Sequence, residues 1–391
     1  MKTVYKKKTS GSVIALNVVS ILLAILAVSA IVSAVLNRSD IFSDNQMKEI
    51  VSDYLGKVPA AIKDEDLGKI RAVILSDTEL IVGGEELMTA MKANETAEAE
   101  KQTSLEGLYK SYTLETSITD FADLSLFTSL EYFSVSDAHC FKGLKDIECY
   151  PNLYYLAISE EKLESLDSLK NFASLKRLSL NSIGVSDISA LSELKGLTLL
   201  SFSDNDCEDI SSISGLTELT SLTLSGNDIS DVSALASMKS LKEIDISDNK
   251  ISDISVLKNM TGLEFVNFSK NDVTDISSLK ASASALTYLY MDNNKVSDIK
   301  ALEKATGIEM ISMSHNEIKD ISVLGGMTEL LQCSMGNNLV EDISPLKTCK
   351  SLYYLTAEHN KISDWTALDE LSAYISGKDD QDIEKEEEAA E

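Results

Sequence analysis

Nine aspartates recur in one register, Asp187, Asp209, Asp231, Asp253, Asp275, Asp298, Asp320, Asp342 and Asp364, each opening a phrase of the form Ile/Val/Trp-x-x-Leu/Ile. A row of stacked carboxylates could ligate calcium, or it could cap short helical turns. Capping explains every copy alike, because a carboxylate ahead of a turn accepts from its first free amides. Calcium-binding repeats use a different, glycine-rich nonapeptide. The histidines, His139, His315 and His359, have no Cys, Asp or Glu companions at metal-ligand spacing. The sequence also contains no P-loop, no G-x-S-x-G and no dinucleotide fingerprint. The expectation is therefore a protein that is not an enzyme and carries no metal and no cofactor.

These aspartates belong to a longer phrase, L-x-x-L-x-L-x-x-N-x-I-x-D-I-x-x-L, repeated eleven times from Leu130 to Leu368. Its first apolar position falls at Leu130, Leu153, Leu175, Leu197, Leu219, Leu241, Leu263, Leu286, Ile308, Leu330 and Leu352, in steps of 22 residues except for 23 into Leu153 and Leu286. A fixed period of this length predicts a leucine-rich-repeat solenoid, each coil giving one short strand to a parallel sheet. In one copy Leu222 and Leu224 alternate with Ser221, Thr223 and Ser225, the period of a strand buried on one face. A column of asparagines follows: Asn205, Asn227, Asn249, Asn271, Asn294, Asn316, Asn338 and Asn360. A side-chain amide there can both donate to and accept from the backbone of adjacent coils. Eleven coils at about 4.8 Å each would make a sheet on the order of 50 Å long.

The binding chemistry falls on the strand residues that point away from the core. At the seventh repeat position stand small polar residues, mostly serine, which read as structural. The third position reads Tyr132, Tyr155, Arg177, Leu199, Ser221, Glu243, Phe265, Tyr288, Met310, Gln332 and Tyr354, joined at the fifth by Tyr290. Phe265, Tyr288, Tyr290 and Met310 are expected on adjacent strands as one exposed patch, with residue types that anchor protein interfaces. Tyr354 extends this set. Tyr132 and Tyr155 form a second cluster, serving either a separate contact or the cap. Glu243, Asp245 and Asp248 beside the patch favour a basic or polar partner.

The 391 residues carry a net charge of −28, so nucleic-acid binding is not expected. Five cysteines make no disulfide framework: Cys140, Cys149, Cys207, Cys333 and Cys349 each fall by register on an apolar repeat position, as buried free thiols. Val13 to Leu36 is a run of 24 uncharged residues, long enough to span a bilayer. Lys2, Lys6, Lys7 and Lys8 precede it, which orients the N-terminus to the cytoplasm and the repeats outward. The competing expectation is a cleaved signal peptide, with secretion, because Val28-Ser29-Ala30 and Val32-Ser33-Ala34 resemble cleavage sites.

Residues 37–107 show helical spacing at Met47, Ile50, Val51, Tyr54 and Leu55, and again at Leu67, Ile70, Val73 and Ile74 after Asp64-Glu65-Asp66. Residues 92–106 are polar and read as a connection. A degenerate coil follows in Ile118-Thr119-Asp120-Phe121-x-x-Leu124. The expected organisation is a basic cytoplasmic tail at 1–12, a membrane anchor at 13–36, a linker and helical cap at 37–107, repeats at 108–368 and an acidic, disordered tail at 369–391. That tail holds ten acids against Lys378 and Lys385.

With the cap phrase Ile62-Lys63-Asp64-Glu65-Asp66-Leu67-Gly68-Lys69-Ile70, the 22-residue repeat resembles the internalin-type leucine-rich repeats of bacterial surface proteins. The resemblance covers about residues 45 to 368. It implies an α/β repeat solenoid, a horseshoe with a parallel concave sheet and a helical N-terminal cap, to which the sequence adds one N-terminal transmembrane helix. Members of the family bind protein partners through the concave sheet, often with exposed aromatics. Internalins proper continue into an immunoglobulin-like module and a wall-anchoring signal. Here 23 residues follow Leu368, and attachment is expected at the N-terminus instead. The leading expectation is a membrane-anchored, outward-facing binder of a protein or peptide. A spacer or accessory subunit of an envelope complex is the second. A carbohydrate-binding adhesin, its tyrosines stacking on sugar rings, is the third.

Overall fold

The computed structural model describes residues 42, 45–76, 78–94, 102, 104–114, 118, 121–138 and 140–383. The expected cytoplasmic tail and membrane anchor, His139, the Thr119-Asp120 pair, most of the polar connection and the end of the acidic tail lie outside them. Among the described residues no helix is long and apolar enough to cross a membrane. The chain forms two compact units, one up to Ile183 and one from Gly184 on.

In the first unit the helix α1 (Asn45–Leu55) buries Met47, Ile50 and Val51, as the spacing predicts. A four-residue helix α2 (Asp64–Leu67) follows. Its Asp66 is buried, accepts the Lys63 backbone N–H at 3.1 Å and pairs with Lys57 at 2.6 Å and Lys69 at 2.8 Å. Those partners, the Lys57 ammonium foremost, hold its carboxyl well below the usual range.

The second helical pattern is corrected. Val73 and Ile74 lie in a strand, β1 (Ala72–Leu75), which pairs antiparallel with β2 (Glu79–Gly83), itself antiparallel to β3 (Tyr109–Thr113). The i, i+3 spacing was ambiguous over so short a run, and the β-branched residues around it favour a pleated surface. On its other side β1 runs parallel to the first repeat strand, β4 (Tyr132–Ser136), pairing Ala72 with Tyr132. The cap thus covers the first coil by extending its sheet. β5 (Tyr155–Ser159) and β6 (Arg177–Asn181) continue it in parallel. A third helix, α3 (Glu85–Asn94), occupies part of the stretch expected to be a connection.

The second unit carries β7 (Leu199–Ser201), β8 (Ser221–Thr223), β9 (Glu243–Asp245), β10 (Phe265–Asn267), β11 (Tyr288–Tyr290), β12 (Met310–Ser312), β13 (Gln332–Ser334), β14 (Tyr354–Thr356) and β15 (Tyr374–Ser376), each parallel to the next. One coil shows how the repeat folds. Leu219, Leu222, Leu224, Ile229, Val232, Leu235 and Met238 are all buried, each worth about 1.5–3 kcal/mol relative to exposure. Asn249 Nδ2 donates to Ile246 O (3.2 Å) in its own coil and to Leu224 O (2.9 Å) in the coil before, while its Oδ1 accepts the Ile229 N–H (3.0 Å). Asn271, Asn294, Asn316, Asn338 and Asn360 repeat this pattern.

The aspartate row does cap, one residue earlier than an N-cap. Asp253 Oδ1 accepts the Ser255 N–H at 2.7 Å, and Asp187, Asp209, Asp231, Asp275, Asp298, Asp320, Asp342 and Asp364 do likewise for the residue two on. This is an Asx-type turn leading into a 3₁₀ turn.

Two further expectations are corrected. Residues 369–391 do not all form an unstructured tail: Tyr374–Ser376 is a strand, and Gln381 takes the asparagine role, its Oε1 accepting the Ile362 N–H at 3.0 Å and its Nε2 donating to Ala357 O at 2.8 Å. Cys149 is half-buried rather than buried, unlike Cys140, Cys207, Cys333 and Cys349. Tyr150, one residue later, holds the core position in that coil.

Candidate functional site

The open face of the sheet is formed by the two ends of each three-residue strand, whose middle residue is buried. In the second unit Phe265, Tyr288 and Met310 are consecutive partners across β10, β11 and β12, and Tyr290 stands opposite Asn267 and Ser312. The four side chains therefore meet on one surface, as the repeat register predicts. They are half-buried rather than freely exposed, because they pack on one another. The Phe265 and Tyr290 rings lie 5.6 Å apart at a tilt of 43°. The Tyr290 hydroxyl is 3.9 Å from Met310 Sδ, and the Tyr288 hydroxyl donates to Glu309 at 3.1 Å. Burial, and next the Glu309 carboxylate, push the Tyr288 phenol well up; burial and Asp292 raise that of Tyr290. Both phenols stay neutral donors at physiological pH.

Polar residues around the patch are fastened to one another. Asp245 accepts from Ser247 N (3.0 Å), Ser247 Oγ (2.6 Å) and Asn267 Nδ2 (3.1 Å). Asp292 accepts from Ser312 Oγ (2.8 Å) and Ser314 N (2.7 Å). Ser225 Oγ bonds Ser203 Oγ at 3.1 Å, so the small residues of the seventh position knit coil to coil.

The second expected cluster is corrected. Tyr132 and Tyr155 stack at 4.3 Å with an interplanar angle of 3°, but they are only 1% and 8% exposed. Leu87, Met88 and Ala90 of α3 pack on them together with Leu105 and Ala72. Ion pairs fasten the helix: Arg71 bridges Glu131 (2.8 Å) and Glu85 (2.9 Å), and Lys92 reaches Glu131. These tyrosines serve the cap, the alternative that the sequence left open. Beside them, Tyr54, Lys69, Arg71, Glu85, Tyr109 and Lys110 line a shallow cleft of about 550 Å³.

Tyr354 is exposed at 38% and stacks on Tyr374 at 5.5 Å, with Tyr353 also exposed. Sequence reasoning missed Tyr374, since its 20-residue step from Tyr354 breaks the period. The alternation Tyr374-Ile375-Ser376 before Gly377 was the available signal. His315 and His359 occupy the left-handed turn position before the asparagine, with φ of +56° and +53°. Among the described residues no three His, Cys, Asp or Glu side chains converge as a metal site.

Comparison with known proteins agrees with this geometry. The family described as "Leucine Rich repeats (2 copies)" matches residues 217–259 and 261–304, and "Leucine rich repeat" matches residues 177–229. No curated protein matches the sequence. Among solved structures, the chain is similar to the internalin InlF of Listeria monocytogenes, with 26% identity over 88% of this chain and 96% of that one and a TM-score of 0.68. The functional domain of InlJ from the same organism, which includes a cysteine ladder, is 25% identical over 66% of this chain and 57% of its own, with a TM-score of 0.50. A leucine-rich-repeat protein of Leptospira interrogans, 16% identical over 68% and 82% with a TM-score of 0.51, shares the fold. The chain is an internalin-type leucine-rich-repeat protein.

Proposed function

We propose that this protein is a membrane-anchored, extracytoplasmic binding protein that holds a protein or peptide partner on the open, concave face of its repeat sheet. The observation that carries the reading is the patch of Phe265, Tyr288, Tyr290 and Met310. Three adjacent strands place large apolar side chains there, where β8 and β13 offer Ser221, Thr223, Gln332 and Ser334. Interlocked aromatics with fixed hydroxyls give a rigid anchor that loses little side-chain entropy on binding. The exposed Tyr354 extends the surface toward the last coil. Anchoring rests on the sequence: residues 13–36 carry no charge and follow four lysines.

The test is capture of a partner from cell envelopes and culture supernatant by the full chain, against a Tyr288→Ser/Tyr290→Ser variant. Interface anchors of this type are worth about 2 kcal/mol or more each, so the variant should lose most capture while still unfolding cooperatively. Undiminished capture would remove the patch from the binding surface.

A further inference from the structure

We propose that the occupant of this face is a cationic stretch of polypeptide, its Lys or Arg side chains received by the rings of Phe265, Tyr288 and Tyr290 between the carboxylates of Asp245 and Asp292. This rests on the reading of the face as the binding surface and adds the chemistry of what binds there.

Three observations carry it. From β7 to β15 the outward ends of the strands include no Lys, Arg or His. Lysines of this unit lie off these strand ends, and five of them pair with an acid of an adjacent coil: Lys242 with Glu264, Lys250 with Asp228, Lys270 with Asp248, Lys295 with Asp272 and Lys319 with Glu341. Second, the carboxylates of Asp245 and Asp292 bracket the rings. Asp245 is in register with Asn267, which is in register with Tyr290, placing it two strands, about 10 Å, to one side. Asp292 follows Tyr290 by two residues. Hydroxyl and amide donors aim both carboxylates without cancelling their charge, and among the described residues no cation pairs with either. Third, the rings are held in place through Tyr288 to Glu309 and Tyr290 to Met310.

A ring face carries negative quadrupole charge and attracts a cation, the more so when desolvated. An acidic or neutral partner covering this surface would bury two unpaired carboxylates at a steep desolvation cost, whereas a cationic one neutralises them. Met310 and Phe265 offer apolar contact to the aliphatic stems of Lys and Arg, and the polar strand ends Thr223, Asn267, Ser312 and Ser334 beside them match the backbone donors and acceptors of a polypeptide, which a small polyamine lacks.

The probe is a fluorescent twelve-residue peptide of alternating Lys and Ser, compared with a Glu-Ser peptide and with spermidine, titrated against the full chain. The Lys peptide should bind with strong salt dependence and the Glu peptide should not. Asp245→Asn/Asp292→Asn, which keeps the Oδ1 that accepts from the serines at each position, should weaken the Lys peptide about tenfold or more, and Phe265→Ser/Tyr290→Ser comparably. Glu218→Gln/Glu303→Gln, on exposed acids elsewhere, should change nothing. Equal loss in that control would mean diffuse attraction to an acidic protein and overturn the proposal, as would spermidine binding as tightly as the peptide. If the Lys peptide fails to bind while Tyr288→Ser/Tyr290→Ser still abolishes capture of a partner, the partner class is wrong and the surface stands. If capture is also undiminished, the surface itself is wrong.

Discussion

Asn249 shows how much one side chain holds. Its amide satisfies carbonyls at Leu224, Ile246 and Ser247, and its oxygen satisfies the Ile229 amide. Truncation orphans the Ile229 N–H, at about 1–3 kcal/mol for a buried donor, and removes one of two donors from each carbonyl, leaving Leu224 O to Asn227, Ile246 O to Asn271 and Ser247 O to the Gly226 N–H. Asn249→Ala should therefore lower unfolding stability by about 3 kcal/mol, measured by denaturant melting, and an effect under about 1 kcal/mol would show that water substitutes for the amide. This column was legible because one residue type recurs at one position. The left-handed position before it was not, since Asp204, Gly226, Asp248, Lys270, Asn293, His315, Asn337 and His359 share a backbone conformation and no side chain. A positive φ is set by the turn that brings the following asparagine inward, and residues of many types bear the strain. At the candidate site, the adjacency of Phe265, Tyr288, Tyr290 and Met310 was legible from register alone. Their degree of burial was not, because it depends on side chains reaching sideways to the next coil.

At the scale of elements, the two ends of the repeat array are built differently from its interior, and there the period gave least guidance. The cap strand β1 was hidden in apolar spacing that suited a helix equally well. β15 was hidden by its shortened step and the acids around it. Gly377 makes that last coil possible: its φ is +94°, and a Cβ there would come within 2.3 Å of the Glu358 nitrogen. Gly377→Ala should displace β15, at a cost of about 2 kcal/mol. Hydrogen exchange would then speed up at Ala357 and His359, whose amides donate to Ser376 O and Asp380 O, while Asn249 and its neighbours keep their protection. Unchanged exchange at Ala357 would show that the strand tolerates the substitution.

For the molecule as a whole, the many acids make stability a function of pH in a definite sense. The carboxyls of Asp187, Asp209, Asp231 and Asp253 lie below their ordinary value, chiefly through the backbone N–H of the serine two residues on. A group depressed in the folded state stabilises it above the unfolded pKa, about 3.9 for aspartate. That contribution disappears as pH falls through the folded value, since the unfolded chain binds the proton first. The thermal midpoint should thus be nearly flat above about pH 5 and fall below about pH 4. Asp231→Asn/Asp253→Asn, whose amide oxygens accept without titrating, should make the acid limb shallower by up to about two protons. An identical limb would assign acid sensitivity to other groups.

The asparagine contacts also have a direction. From Asn227 to Asn360, each amide reaches back to close the backbone of the coil before it. A nascent chain leaving the ribosome N-terminus first therefore always trails one coil whose polar groups await a residue not yet made. Gln381, folded back over Gly377, performs that closure for the coil of Asn360, so a chain cut short before residue 381 would leave the Ile362 N–H without its acceptor and that coil still open.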